Sequence, residues 1–421
     1  MEIPEISDFG SIYMPYVRVV ALDNGVTLKI APYEPSEICR FHIVMRGGTL
    51  DYDNLMIPRL TALSLFRGTP DMTHTEVASK FDFCGVNVEK RVSIHHTIFD
   101  FTVLKRLVPE ILPIIAESLE APTFDVDFIE ILKRNQAQAI TQIYEQPKSL
   151  AMIKFKELAY SSGSRIGRSA TPDKAMRVTI DDIVETHRNM MMEGTAIIVS
   201  GDITDDIVAE INRNFGNNQF KPLNNKRYHE TDNEMPDGNV IVNRDNAVQS
   251  SIVMGMKVPS RDSHDFIDTR IACCLFGGFF GSRLMQSIRE EDGLTYGISS
   301  QITSIDGIGR MLITTDCDIA YTTQVKDAVI TEIEKMRSTL SSAEEMHILK
   351  SYLLSQYARM VDKSMDTGDY LTSQIIMDID SDFFNKQVSR TNEITPEQIL
   401  EISQKYFIPE NMLTVTITKE S

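Results

Sequence analysis

Two stretches of this chain, 216 residues apart, read alike. Val178-Thr179-Ile180-Asp181-Asp182-Ile183-Val184 opens a helix ahead of the strand-like Ala196-Ile197-Ile198-Val199-Ser200. Ile394-Thr395-Pro396-Glu397-Gln398-Ile399-Leu400 stands in the same relation to Met412-Leu413-Thr414-Val415-Thr416. A second match has an offset of 217: Ile131-Leu132-Lys133 recurs as Ile348-Leu349-Lys350, each inside a long helical pattern. Strand-like 98–104 leads to a helix over 108–119 before the first of these, and strand-like 311–315 leads to a helix over 323–336 before the second. Agreeing offsets favour an internal duplication over chance likeness, and two related copies account for 421 residues better than three separate domains.

The most polar, turn-rich interior stretch, 214–238, falls between the copies, so the expected division is residues 1–215, a linker over 216–238, and 239–421. Strands come in neighbouring pairs more than in strict β-α-β alternation. The expected fold class is therefore α+β: two homologous domains, each a mostly antiparallel mixed sheet with helices packed on one face. With 42 Lys and Arg against 60 Asp and Glu, the net charge is −18 and no basic run exists to hold nucleic acid. The five cysteines form no C-x-x-C pair, Met1-Glu2-Ile3-Pro4-Glu5-Ile6 has no signal-peptide pattern, and the apolar stretch 271–280 is too short to span a bilayer. The expectation is a cytoplasmic protein with reduced thiols and no membrane partner.

Arg46-Gly47-Gly48-Thr49-Leu50-Asp51, an apolar helix over 56–66 and the turn Phe66-Arg67-Gly68-Thr69 carry a specific likeness. They resemble the opening of the pitrilysin/insulinase family of zinc peptidases, which includes the mitochondrial processing peptidase and its bacterial relatives. In that family an H-x-x-E-H motif sits on a helix that ends in a Phe-Lys/Arg-Gly-Thr turn. Aligned on that turn, the motif positions are Arg59-Leu60-Thr61-Ala62-Leu63, with both histidines and the glutamate absent. The resemblance places the third metal ligand, a glutamate in the family, at Ala139, within a helix over 133–145 that ends at Gln146-Pro147. A catalytic zinc needs about three protein ligands and an open position for water. Arg59, Leu63 and Ala139 supply none, and Ala62 cannot take a proton from that water. The first half reads as a degenerate copy in which Leu60, Leu63 and Phe66 serve as core. Elsewhere, His95 and His96 are adjacent on a strand and face opposite ways. Of the other six histidines only His42 has a second His or Cys three or four residues away, Cys39, and two such side chains fall short of the three ligands a catalytic zinc takes.

The second half keeps more. The stretch 276–297 opens Phe276-Gly277-Gly278-Phe279-Phe280-Gly281-Ser282 and closes Arg289-Glu290-Glu291-Asp292-Gly293-Leu294-Thr295-Tyr296-Gly297. It reads as a glycine turn, a helix capped by Ser282, a stop at Gly293 and a strand entered at Thr295. It is similar to the family's second-domain signature, in which an Arg and a Tyr seven residues later reach into the zinc site of a facing domain; here these are Arg289 and Tyr296. Without the resemblance the two read as a solvated cation and an ordinary strand aromatic. The segment 83–90, feeding a strand through Ile94, resembles the edge strand on which the family's peptide substrate adds as a further strand, but without a zinc beside it the favoured reading is a purely structural edge strand.

What the resemblance implies is a metal-free, Arg/Tyr-contributing subunit of a heterodimeric zinc peptidase for short or unfolded peptides. It would be inactive without a homologous H-x-x-E-H partner that holds the zinc. The alternative is a non-catalytic structural or peptide-binding protein, a homodimer or an assembly subunit.

Overall fold

A computed structural model describes residues 11–160, 163–224, 232 and 234–420. The hexapeptide at the start of the chain and most of the 225–233 part of the linker lie outside these residues. The first half contributes β1 (Arg18–Ala21), β2 (Thr27–Tyr33), β3 (Ile38–Arg46), β4 (Asn87–Val92), β5 (His96–Leu104) and β6 (Thr195–Gly201). The second contributes β7 (Gly238–Asn243), β8 (Ser250–Lys257), β9 (Thr295–Ile305), β10 (Ile308–Cys317) and β11 (Leu413–Thr418). The sheets run β1-β2-β6-β3-β5-β4 and β7-β11-β8-β10-β9. Apart from the extra edge strand β1, the order is the same. In each sheet one pair is parallel, β2 with β6 and β7 with β11, and the others are antiparallel. The class is α+β with two repeated mixed sheets.

Helices α1 (Met56–Ser64), α2 (His74–Cys84), α3 (Val108–Glu120), α4 (Val126–Glu145), α5 (Pro147–Ala159), α6 (Pro172–Met176), α7 (Ile180–Glu193) and α8 (Asp205–Phe215) belong to the first half. The second half has α9 (Phe266–Gly277), α10 (Thr322–Ser338), α11 (Ala343–Val361), α12 (Ser364–Ile376), α13 (Phe383–Glu393) and α14 (Pro396–Tyr406). The repeated openings at 178 and 394 become α7 and α14 through equivalent capping boxes. Thr179 accepts from Asp182 N and Thr395 from Gln398 N, while the side chains of residues 182 and 398 accept from the cap backbone. These caps satisfy orphan first-turn donors, so the helices start at Ile180 and Pro396, two residues after the sequence pattern begins.

Each sheet buries one face against helices of its own half. Phe41, Ile43, Phe99 and Val199 pack with Ile111, Ile115 and Ile211 in the first, and Ile252, Met254 and Ile313 with Ile271, Val329 and Ile399 in the second. The opposite faces are also apolar, as on β3, where Val44 and Phe41 are both fully buried. They are covered by exchange: α12 of the second half crosses β2, β6 and β3, and α5 of the first half crosses β8 and β11. Leu371 of α12 therefore packs with Val44, Ile98 and Ile198, and Phe155 of α5 with Val253, Leu312 and Val415. A one-face packing rule is completed by a helix from the other copy, because a second apolar sheet face left in water would forfeit roughly 25 cal/mol per Å².

Polar ties reinforce the exchange. Arg310 of β10, 1% exposed, pairs with Asp232 at 2.6 Å and donates to the Ala159 carbonyl at the end of α5. His95 Nε2 bonds Asp306 Oδ1 at 2.5 Å between the β4–β5 and β9–β10 turns.

Candidate functional site

Helix α1 lies against α4 because Met56 and Leu60 pack with Ile129 and Ile140. The two helices that would carry a zinc motif and its third ligand are thus neighbours. Arg59 is exposed and its Nε donates to Gln136 Oε1 on α4 at 2.9 Å. Ala62 is buried, while Leu63 and Ala139 are half-buried. The expectation that Leu63 is core is corrected: Leu60 and Phe66 are in the core, and Leu63 stays at its margin. An imidazole or carboxylate is the chemistry a zinc ion requires, and a guanidinium, an isobutyl group and two methyls do not fit it. Among the described residues no group of three His, Cys, Asp or Glu side chains is placed to hold a metal.

The cation beside this helix is a lysine. Lys90, on edge strand β4, donates to the Leu65 carbonyl at 2.7 Å and the Leu63 carbonyl at 3.3 Å, and stands 5.3 Å from the Phe66 ring centroid. It so satisfies carbonyls that α1 leaves unpaired at its end, where positive charge is favoured. Burial, with the Arg67 charge added, lowers its pKa to about 8. The folded value is below 10.5, so the folded chain disfavours the ammonium. That penalty holds below pH 8 and is lifted as pH rises from 8 to 10.5, and stability from this group improves over that window. An NMR titration of the Lys90 side chain should give a midpoint near 8; a value in the ordinary lysine range would show the amine to be solvated. Sequence reading took in Lys90 only as the last residue of the edge-strand segment 83–90. Its alternation on β4 carried the one available signal of an inward-facing lysine.

Arg289 lies on a π-wound turn, Met285–Glu291, a helix form that recurs at functional sites. Ser282 stands directly before this helix, and its carbonyl accepts from Gln286 N at 3.0 Å, but its hydroxyl is buried without a hydrogen-bond partner and makes no side-chain cap. Gly293, at φ +64°, stops the helix, and β9 begins at Thr295 as expected. Arg289 Nη1 pairs with Glu290 at 2.7 Å, and its guanidinium lies 4.8 Å from the Phe280 ring centroid. The first contact is within its own element and the second reaches back to the glycine turn before it. Tyr296 is 89% exposed at the head of β9. No hydrogen bond or ion pair among the described residues joins Arg289 or Tyr296 to Arg59, Ala62, Leu63 or Ala139. Tyr296 faces outward and Arg289 is partly exposed, while Arg59 is engaged by Gln136 and the end of α1 by Lys90.

The histidines are occupied in other ways. His42 Nδ1–H donates to Asp100 Oδ1 at 2.6 Å on the face covered by α12, with Arg91 on the other Asp100 oxygen at 2.7 Å. Burial raises the Asp100 pKa, but the His42 contact and the Arg91 charge outweigh it and hold the carboxyl below its ordinary value. His96 is pushed down to about 3 by burial and by Arg46 and His95, so it is neutral near pH 7. Sequence reading did not find the His42–Asp100 pair, since 58 residues separate its members and only the β3–β5 register sets them opposite each other.

Residues 177–353, a span that includes Arg289 and Tyr296, match the family model described as the peptidase M16 inactive domain. A Rickettsia felis protein described as an uncharacterized zinc protease is 26% identical over 92% of this chain and 87% of its own. A Helicobacter pylori protein described as a non-peptidase homologue is 23% identical over 61% of this chain and 60% of its own. Among solved structures, a peptidase M16 inactive domain from Pseudomonas fluorescens superposes with a TM-score of 0.84 at 17% identity, covering 96% of this chain and 98% of that one. The periplasmic protease PqqL of Escherichia coli gives 0.79 at 16% identity, with 99% of this chain covering 47% of that one. The repeated sheets, the retained second-half signature and these matches together make the chain similar to the M16, pitrilysin/insulinase-type peptidases, without an H-x-x-E-H motif at 59–63.

Proposed function

We propose that this chain is the metal-free, Arg289- and Tyr296-contributing subunit of a heterodimeric peptidase acting on short or unfolded peptides, inactive alone. A homologous subunit carrying H-x-x-E-H would bring the zinc and the base. The observation that carries the reading is the contrast within one chain: Arg59 is tied to Gln136 where a ligand is needed, while Tyr296 stands free at the head of an edge strand. When a peptide carbonyl is attacked, negative charge grows on its oxygen, and a phenol and a guanidinium are suited to donate to it. The doubled length of PqqL, of which this chain covers about half, supports pairing of two such modules.

In this reading 1–215 and 239–421 are the domains, with 216–238 as linker, and the compartment is the cytoplasm. All five cysteines are free, which suits reducing conditions, and among the described residues no helix is long and apolar enough to cross a membrane. Co-expression with an H-x-x-E-H homologue should give a one-to-one complex by native mass that hydrolyses a quenched fluorescent peptide, whereas the chain alone does not. A homodimer that ignores the partner would overturn the reading in favour of a non-catalytic assembly protein, a role the Helicobacter pylori relative's description favours.

A further inference from the structure

The halves repeat one architecture, so a place where they differ is informative. Where α12 crosses the first sheet, ionisable side chains stand between helix and sheet: His42 on Asp100, which Arg91 also reaches from β4, and Arg40 on Asp369 at 3.1 Å. In the first sheet His42 pairs in register with Asp100 on β5 and with Ile198 on β6. In the second, Val253 holds the same position, paired with Thr314 on β10 and Val415 on β11. No charged network occupies it. Instead a cavity of about 450 Å³ remains between α5 and the sheet, its walls including Ala151, Met152, Val253, Gln301 and Thr314. That volume is within the range of roughly 300–1,000 Å³ in which proteins hold small ligands.

The lining chemistry has two poles. Lys148 Nζ and Asp316 Oδ2, both in the cavity wall, are 3.6 Å apart, too far for a hydrogen bond to one another. Asp316 keeps its place through Ser251, whose hydroxyl donates to its other oxygen at 2.5 Å, and remains about one-third exposed. A free cation or anion would find its attraction opposed by the other member of the pair. A molecule bearing both charges would satisfy both. We infer that this cavity binds a short peptide with free termini, a dipeptide above all. The ammonium would be on Asp316, the carboxylate on Lys148, the amide by Gln301 and Thr314, and a side chain against Ala151, Met152 and Val253. The assignment rests on and deepens the peptidase reading, since hydrolysis of a peptide releases shorter peptides with free termini. The site lies wholly within this chain, so its test does not need the partner.

Calorimetric titration of the chain alone with alanyl-leucine should show saturable one-to-one binding. N-acetylation or C-amidation of the dipeptide should each weaken it about tenfold, the value of one charge-assisted contact. Asp316→Asn should abolish the penalty of acetylation only, and Lys148→Met that of amidation only. Absence of saturable binding in the millimolar range, or equal binding of free and capped dipeptides to the unaltered chain, overturns the proposal. Neither result touches complex formation or hydrolysis with the H-x-x-E-H subunit, so failure here is distinguishable from failure of the functional reading.

Discussion

Tyr296→Phe in the assembled complex is expected to lower kcat by about 10²–10³-fold, the loss that follows removal of one preorganised donor to a developing oxyanion. The side chain is 89% exposed, so deleting one hydroxyl leaves the fold and the native mass of the complex unchanged. The loss should appear in kcat with little change in KM, because a donor matched to the charged transition state contributes little to binding the neutral carbonyl. Arg289→Ala should reduce kcat/KM as well. That change also releases the stacking on Phe280 and the pair with Glu290, so Arg289→Lys is the better probe: it keeps the charge and loses the planar fork. Full activity in both the Tyr296→Phe and Arg289→Ala complexes would remove these residues from the reaction and with them the proposed division of labour.

Phe66→Ala should destabilise the chain by about 3–5 kcal/mol, read as a lower urea midpoint. Phe66 is 6% exposed and its ring meets those of Phe99 and Phe101 at 5.4 Å each, both edge to face, with Phe81 at 6.4 Å. It does so from φ +61°, a left-handed conformation that costs a non-glycine residue about 1 kcal/mol or more. The ring packing holds the backbone in that conformation. Phe66→Gly therefore separates the two effects: it loses the ring but accepts the backbone, and should be less destabilised than Phe66→Ala even though glycine is the more flexible residue. A cost below 1 kcal/mol for Phe66→Ala would show that the ring does not anchor this core. The turn after α1 thus acts as a packing device for this core.

Much of the fold was legible. The strand at 98–104 and the helix at 108–119 appear as β5 and α3 within two residues at each end, since both carry clear apolar periodicity and are bounded by turn chemistry. Extent was less legible where local signals compete. The edge strand expected through Ile94 ends at Val92, because the chain must turn to bring His96 into β5. Ser282 looked like a cap by residue type, and it does precede the helix, but its hydroxyl is buried without a partner and only its carbonyl takes part, accepting from Gln286 N. Of the candidate residues, Arg59 and Ala139 were placed on neighbouring helices by resemblance, while Lys90 and the His42–Asp100 pair emerged only from strand register.

The amino-acid sequence by itself determined the duplication and the missing ligand chemistry. Caps and periodicities repeat along the chain whatever it packs against, and no folding event turns Arg59, Ala62, Leu63 and Ala139 into imidazoles and carboxylates. Tertiary structure alone decided that α5 and α12 cross to the other copy's sheet, that Arg310 ties Ala159 to Asp232, and that one of two equivalent crossings has ionisable side chains between helix and sheet while the other stays open. Periodicity announces that a face is apolar, but which face it meets depends on the shapes of elements about two hundred residues apart in the chain, and those meet only in the folded molecule.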